Sequence, residues 1–267
     1  MPPGEPWLAP PARGPLARCR QLLRTAAAAP VTAVCYPATL VGAALLRPWP
    51  LRRSAWQAGV FRLWCRLLLH IFGARLTVHG PPPRRPHLLV ANHLSWVDIL
   101  VLGATAGGSF VARADLDRWP VVGALCRAVD TVFIDRASKR DLLRVAGLVE
   151  ARLAASAGVI FFAEGTTSPG AAILPFKPSL LEVAAASGAP VHYATLAYRT
   201  PASEPPAAQV VCWWGDAPFT PHAVRLLALP GFEARLTFGA EPIRDGDRKQ
   251  LAARLRAAME AIFEPSS

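Results

Sequence analysis

The stretch Leu88-Leu89-Val90-Ala91-Asn92-His93-Leu94-Ser95-Trp96-Val97-Asp98 contains the change of pattern that decides the fold class. A short apolar run typical of a buried strand is followed by residues 96–106, which have the composition of a helix. On one continuous helix, residues five positions apart are rotated by about 500°, so His93 and Asp98 would lie on different faces. The two side chains can meet only if His93 lies in a strand-to-helix turn and Asp98 in the first turns of the helix. We predict that arrangement.

The chemistry of such a pair depends on the histidine tautomer. A carboxylate that accepts a hydrogen bond from one imidazole nitrogen leaves the other nitrogen as a base with a pKa near neutrality. The pair can then deprotonate a hydroxyl without a serine or cysteine nucleophile. The sequence contains no G-x-S-x-G motif and no plausible cysteine nucleophile, which is consistent with that use. For a histidine alone, a solvated loop position is the common alternative.

The alternation of apolar runs and helical stretches continues along the chain from residue 87. Strands are predicted at 87–91, 109–112, 131–134, 159–163, 191–197, 210–214 and 234–238. Helices are predicted at 96–106, 119–128, 138–156, 178–187, 219–228 and 246–262. This order predicts an α/β fold with a mostly parallel central sheet of about seven strands flanked by helices. Active sites of such sheets lie at the carboxyl ends of the strands.

The first 73 residues have a different composition. We divide the chain into a flexible basic N-terminus (1–24), a membrane-associated helical hairpin (25–73) and an α/β domain (74–267). Thr25 to Leu46 carries no charge and is about long enough to cross a bilayer, although Pro30 and Pro37 would kink a helix there. A second helix, 55–71 with Ser54 as its cap, has an apolar face with two tryptophans and basic margins, as interfacial helices do. An ordinary core-packing helix is the alternative for 55–71, and a signal peptide is the alternative for the first segment.

Composition limits the partners. The net charge of +11 predicts an anionic partner, and the hydrophobic fraction of 52% with a mean hydropathy of +0.29 favours a membrane as one contact. Nucleic acid is disfavoured because the arginines flank apolar helices and motif strands instead of alternating with aromatic residues. Five scattered cysteines without a C-x-x-C motif indicate neither a disulfide framework nor a zinc site, so a reducing cytosolic face is expected.

Two further strand ends carry polar residues. Arg136, in Val132-Phe133-Ile134-Asp135-Arg136, could bind a phosphate in a bidentate manner, or could pair with Asp135 or Asp141. The run Phe161-Phe162-Ala163-Glu164-Gly165-Thr166-Thr167-Ser168 ends a strand in a polar turn where Gly165 permits close approach of a ligand to the backbone. Such a turn is often no more than a turn. Lys177 follows near the same strand end.

Taken in order, these motifs resemble a known family. N-H-L-S-W-V-D, F-I-D-R, F-F-A-E-G-T-T-S and Gly188-Ala189-Pro190-Val191 match the conserved blocks of the glycerolipid acyltransferases of the 1-acyl-sn-glycerol-3-phosphate acyltransferase type, over about residues 55–243. The resemblance implies transfer of a fatty acyl group from acyl-CoA or acyl carrier protein to a lysolipid hydroxyl. We expect no cofactor and no metal, and we expect the enzyme at the cytoplasmic face of the cell membrane.

The resemblance also implies residue roles. His93 would be the general base, oriented by Asp98, and Arg136 would hold a phosphate of the acceptor. The predicted acceptor site is completed by Glu164, Gly165, Thr166 and Thr167, with Arg113 and Lys177 as possible ligands of the head group or of donor phosphates.

Two positions depart from the family pattern. Ala163 replaces a proline, and Thr167 replaces an arginine, so one expected phosphate ligand is missing. The first expectation for the acceptor is 1-acyl-sn-glycerol-3-phosphate, giving phosphatidic acid. The alternative is a lyso-ornithine lipid, whose free hydroxyl lies on an acyl chain and which has no phosphate. From another class, a catalytically inactive, membrane-attached lipid-binding protein is the alternative, and the intact His93 and Asp98 argue against it.

Overall fold

The computed structural model describes residues 14–135, 139–155 and 157–267. Two long helices come first, α1 (Pro15–Leu45) and α2 (Pro50–Ile71). Strands and helices then alternate: β1 (Ala74–His79), β2 (His87–Ala91), α3 (Val97–Thr105), β3 (Ser109–Arg113), α4 (Pro120–Ala128), β4 (Val132–Ile134), α5 (Lys139–Ala154), β5 (Gly158–Phe162), α6 (Glu182–Ser187), β6 (Val191–Arg199), α7 (Ala207–Val210), α8 (Phe219–Ala228), β7 (Phe232–Phe238) and α9 (Arg248–Glu260). Two 3-10 helices, Ala114–Arg118 and Pro178–Leu181, complete the described elements.

Within the described ranges, seven strands form one sheet in the order β1-β7-β6-β2-β5-β3-β4. Every neighbouring pair is parallel except β6 and β7, which are antiparallel. The predicted α/β fold with a mostly parallel sheet of about seven strands is therefore confirmed.

The central strand β2 is apolar at four of its five positions, residues 88–91. All five of its residues are buried, because helices cover both faces of the sheet. Leu89 and Ala91 belong to the core cluster that α2 and α3 cover, whereas Leu88 and Val90 belong to the cluster under α5 and α9. Side chains of a strand alternate between faces, so a strand that is buried on both faces carries apolar residues on both, here at residues 88–91.

Three details of the predicted secondary structure are wrong. Residues 210–214 are not a strand: Val210 ends α7, and in the loop that follows the N–H of Trp213 donates to the carbonyl of Leu94 at 2.8 Å. The run is apolar because Val210, Val211 and Cys212 are buried in the core. The predicted helix 178–187 is a 3-10 turn followed by α6, and the edge strand β1 was not predicted.

The N-terminal helices also differ from the prediction. The first helix begins at Pro15, so residues 15–24, which the sequence assigns to a flexible terminus, are its first turns. Pro30 and Pro37 lie inside α1 and neither ends it. The second helix begins at Pro50, with proline in a favoured first-turn position, so Ser54 is not its cap.

The two helices pack as a pair and attach to the α/β domain. The indole N–H groups of Trp56 and Trp64 donate to α1 at 3.0 Å each, and α2 places Phe61, Cys65 and Leu68 in the core. The guanidinium of Arg24 donates to three carbonyls at the end of α8, those of Leu227, Leu229 and Pro230. Both ends of the pair are therefore held by the domain.

The outer surface of this pair is apolar. Of the fifteen large hydrophobic side chains that are exposed in the described residues, twelve lie in α1, α2 or their connection. Within the described ranges, α1 is the one helix long and apolar enough to cross a membrane by length and composition. Contiguous exposed apolar surface of this kind marks a contact with another apolar phase.

Candidate active site

His93 lies in the connection between β2 and α3, at the carboxyl end of the central strand, and Asp98 is the second residue of α3. Nδ1 of His93 is 2.7 Å from Oδ2 of Asp98. The strand-to-helix turn predicted from the spacing of the two residues is therefore present, and it brings the two side chains into direct contact.

The carboxylate of Asp98 is completely buried, and both of its oxygens accept hydrogen bonds. Oδ2 accepts hydrogen bonds from the N–H groups of Leu94 (2.7 Å) and Ser95 (3.0 Å), in addition to the contact with His93. Oδ1 accepts a hydrogen bond from the hydroxyl of Tyr198 at 2.6 Å. Nδ1 of His93 is therefore the protonated ring nitrogen, and Nε2 can accept a proton. Within the described ranges no hydrogen bond reaches Nε2.

Aromatic packing fixes the orientation of the imidazole. The ring of Phe162, the last residue of β5, stacks on that of His93 with a centroid separation of 3.9 Å and an interplanar angle of 12°. Phe110 of β3 stacks behind Phe162 at 6.0 Å. The side chain of His93 is 21% exposed, so one edge of a ring that is otherwise held on two sides remains open to a ligand.

Glu164 binds the backbone around His93. Its Oε2 accepts from the N–H of His93 at 3.1 Å, and its Oε1 accepts from the N–H of Leu174 at 2.9 Å. Burial raises the pKa of this carboxyl to about 7, whereas the two N–H donors act in the opposite direction. Because both oxygens are used by backbone groups, Glu164 ties the turn after β5 to the histidine loop, and the N–H of Ser168 donates to the carbonyl of His93 as a second link.

A cavity of about 540 Å³ opens beside this turn. Its described lining consists of Arg113, Ala114, Asp115, Arg118, Ile134, Asp135 and Gly165. The guanidinium of Arg113 makes two hydrogen bonds with the carboxylate of Asp115, at 2.9 and 3.0 Å. Two arginines and two aspartates give this lining a balanced charge. Gly165 has a φ of 72°, a conformation that glycine adopts without strain.

The remaining predicted site residues do not line the cavity in the described structure. Thr166 and Lys177 are exposed and Thr167 is half-buried; none of the three lines the cavity in the described structure. Arg136 lies outside the described residues, so its predicted contact with a phosphate stays a prediction. Among the described residues, no group of three histidine, cysteine, aspartate or glutamate side chains is arranged to hold a metal ion.

Two residues of the site were not predicted from the sequence. Tyr198 contacts Asp98 from β6, one hundred positions along the chain, and no local pattern points to it. The side-chain amide of Asn92 exchanges two hydrogen bonds, of 2.7 and 3.0 Å, with the backbone of Leu196. Asn92 thereby fixes the end of β2 against β6, and its place next to His93 in the motif was the available signal.

Comparison with known proteins finds related sequences. The Acyltransferase family profile matches residues 75–197. A lyso-ornithine lipid O-acyltransferase of Rhodobacter capsulatus is 32% identical over 213 residues, which cover 77% of this chain and 76% of that protein. The chain belongs to the acyltransferase family. A 1-acyl-sn-glycerol-3-phosphate acyltransferase of Neisseria gonorrhoeae is 39% identical over 125 residues, 46% of this chain and 49% of that one.

The acyltransferase also resembles a solved structure over most of its length. The crystal structure of the 1-acyl-sn-glycerophosphate acyltransferase from Thermotoga maritima covers 92% of this chain and 97% of its own, with a TM-score of 0.62 and 21% identity. At that identity the match concerns the fold. The family resemblance drawn from the four sequence blocks is confirmed, and this acyltransferase acts on lysolipids.

Proposed function

We propose that His93 is the general base of an O-acyl transfer and that Asp98 positions it. The observation that carries the proposal is the 2.7 Å contact between Nδ1 and a buried carboxylate, which leaves Nε2 for the substrate. The acceptor hydroxyl gives its proton to Nε2 while its oxygen attacks the carbonyl carbon of an acyl thioester. The tetrahedral intermediate then expels the thiolate, which takes the proton back from His93. The thioester is that of acyl-CoA or acyl carrier protein.

For the acceptor, a lyso-ornithine lipid is supported best. Ornithine that is acylated on its α-amine keeps a carboxylate and a side-chain ammonium, so its head group is a zwitterion. The cavity beside Gly165 has two arginines and two aspartates in its described lining, a balanced set suited to both charges. Thr167 agrees with this choice because it replaces an arginine that would favour a phosphate. The lyso-ornithine relative also matches three quarters of the chain.

The phosphate acceptor 1-acyl-sn-glycerol-3-phosphate is the second candidate. Arg113 and Arg118 line the cavity, and arginine is well suited to phosphate because its planar fork makes two parallel hydrogen bonds. A dianionic phosphate would have to displace Asp115 from Arg113, to which it is bonded twice. The relative from Neisseria gonorrhoeae supports this candidate over about half of the chain.

We also propose that α1 and α2 lie in one leaflet at the cytoplasmic face of the membrane. Arg20 and Arg24, in the second and third turns of α1, and Phe72, just after α2, contact the α/β domain, so both ends of the pair stay on one side. The exposed apolar side chains of the pair would enter the acyl region, and His93 would meet head-group hydroxyls at the interface.

The test of the acceptor is a panel with purified enzyme and one acyl donor. Initial rates are measured with lyso-ornithine lipid and with 1-acyl-sn-glycerol-3-phosphate in the same detergent. We expect the higher kcat/KM for the lyso-ornithine lipid, and we expect Thr167→Arg to shift the ratio towards the phosphate acceptor. Thr166→Arg adds the same charge to the neighbouring position as a control. A higher kcat/KM for the phosphate acceptor in the unmodified enzyme would reverse the assignment.

A further inference from the structure

A second cavity lies at the edge of the sheet opposite to His93. Its volume is about 90 Å³, and a single buried water needs roughly 10–15 Å³, so it can hold a phosphate-sized group but not an acyl chain. It is bounded by the first turns of α2, by the residues before β2 and β3, and by the end of α5. The five residues of β2 separate it from the active-site edge by roughly 16 Å.

Arginine dominates the polar groups of this cavity. Arg53, Arg85 and Arg152 line it together with one acidic residue, Asp130, so the described lining has a net charge of +2. Asp130 is shared: Oδ1 lies 3.5 Å from Arg53, and Oδ2 lies 3.1 Å from Arg152. We call this site the arginine cavity.

Arg85 has no acidic partner in the described structure. Its Nε and Nη2 are buried and make no hydrogen bond to the described residues. The Nε atoms of Arg53 and Arg152 are also buried without a hydrogen bond to the described residues. Gly107 permits the close packing of this guanidinium, since a Cβ at that position would lie 2.4 Å from Nη2 of Arg85. Burial, followed by the charge of neighbouring Arg62, lowers the pKa of Arg85. A bound anion would supply both the missing hydrogen bonds and the missing charge.

The position of the arginine cavity indicates where the anion comes from. Pro50 is part of its lining, and Trp49 and Leu51 on either side of it are 52% and 58% exposed. From here α2 runs to Phe72, whose ring contacts Trp96 beside the catalytic loop. A membrane that covers the apolar face of the helix pair would therefore bring head-group phosphates to this cavity as well as acceptor hydroxyls to His93.

We propose that the arginine cavity binds a phosphate group, supplied by an anionic phospholipid of the membrane to which the enzyme attaches. The site is separate from the acceptor site and does not take part in acyl transfer. It would fix the helix pair to anionic lipid through a specific contact, in addition to the apolar contact of the exposed side chains.

Two measurements on the full-length enzyme distinguish the sources of phosphate. The first is the melting temperature in detergent with increasing inorganic phosphate, against chloride at equal ionic strength. The second is cosedimentation with vesicles of phosphatidylcholine, either pure or with about one third phosphatidylglycerol. We expect phosphate to raise the melting temperature of the unmodified enzyme but not that of Arg85→Gln. We expect phosphatidylglycerol to strengthen vesicle binding at least several-fold, and Arg85→Gln to remove most of that gain.

Arg66→Gln is the matched control, because Arg66 lies on α2 and does not line the cavity. If Arg85 were purely structural, Arg85→Gln would lower the melting temperature. If its buried charge lacks a partner, Arg85→Gln should melt no lower than the unmodified enzyme when phosphate is absent. The proposal is overturned if Arg85→Gln keeps the phosphate-dependent shift, if it melts lower without phosphate, or if Arg66→Gln loses as much vesicle binding. A phosphate shift without any effect of Arg85→Gln on vesicles would overturn the lipid source. None of these results depends on which acceptor the enzyme acylates.

Discussion

The hydroxyl of Tyr198 donates a 2.6 Å hydrogen bond to Oδ1 of Asp98, the carboxylate oxygen on the side away from His93. Tyr198 is completely buried in β6, and burial, with Asp98 as a further cause, raises the pKa of its phenol well above the usual value. The phenol is therefore always a donor at working pH. Asp98 is held from both oxygens, so the imidazole it positions has one orientation.

Replacing Tyr198 with phenylalanine tests this contact. One oxygen of a buried carboxylate loses its donor, so we expect a loss of unfolding free energy of about 1–3 kcal/mol. We also expect kcat to fall roughly tenfold with little change in KM, because a carboxylate held from one oxygen only positions the imidazole of His93 less well. Tyr193→Phe on the same strand is the control. A Tyr198→Phe enzyme that is less stable but keeps the unmodified kcat would show that the contact is only structural.

Glu164 predicts a pH dependence of stability with a defined sign. Burial raises its pKa to about 7 in the folded protein from an ordinary value of 4.5, so the folded state binds more protons between these values and stability falls as pH rises through this window. The full effect is about 3 kcal/mol. We compare the unmodified enzyme with Glu164→Gln. The unfolding free energy of the unmodified enzyme minus that of the variant should be more positive at pH 4.5 than at pH 7.5. A difference that does not vary with pH would contradict this account.

Two buried histidines have the opposite effect on the pH dependence of stability. Burial lowers the pKa of both His87 and His222 to about 4, and for His87 the charge of Arg85 adds to the effect. The unfolded chain takes up these protons near pH 6.5, so stability is lost as pH falls from 6.5 to 4, by about 3 kcal/mol for each histidine. Replacing His222 with glutamine should flatten this part of the curve, measured by urea unfolding at several pH values. The same replacement at exposed His79 should leave the slope as it is, and an equal flattening there would refute the assignment.

The apolar face of the helix pair predicts membrane attachment. Val34, Val41 and Leu45 are exposed and lie on one side of α1 at helical spacing. Changing all three to serine should move at least tenfold more protein into the soluble fraction after cell breakage, without a change in melting temperature. Serine at exposed Val78, Val121 and Val224 serves as the control for loss of apolar surface elsewhere. Equal release by both triple variants would mean that the helix pair is not the attachment site. Deletion of residues 1–73 is a poorer test because it removes Phe61, Cys65 and Leu68 from the core.

The sequence predicted what is local. The strand, turn and helix around His93 follow from a run of eleven residues, and the order of apolar runs predicted the sheet. Burial alone misled at residues 210–214, since a buried loop needs apolar side chains as much as a strand does. Tyr198 was beyond reach because its contact with Asp98 exists only after β6 has paired with β2.

The sequence did not show which groups Glu164 contacts. As the acid of a polar turn it is expected to shape the acceptor site, and that role stays a prediction; in the structure, its two oxygens accept hydrogen bonds from the backbone of His93 and Leu174. Any effect of Glu164 on an acceptor would then act through the position of the two loops. Motif spacing identifies a polar residue at a strand end but not the direction of its hydrogen bonds.

The central claim is that Nε2 of His93 removes the proton of the acceptor hydroxyl. The most direct measurement is kcat for acyl transfer by His93→Ala, with the melting temperature recorded in the same preparation. We predict that kcat falls by roughly 10²–10⁴-fold while the protein stays folded, and that Asp98→Asn is impaired as well because it alters the tautomer of the ring. A folded His93→Ala enzyme that transfers acyl groups at the unmodified rate would contradict the account.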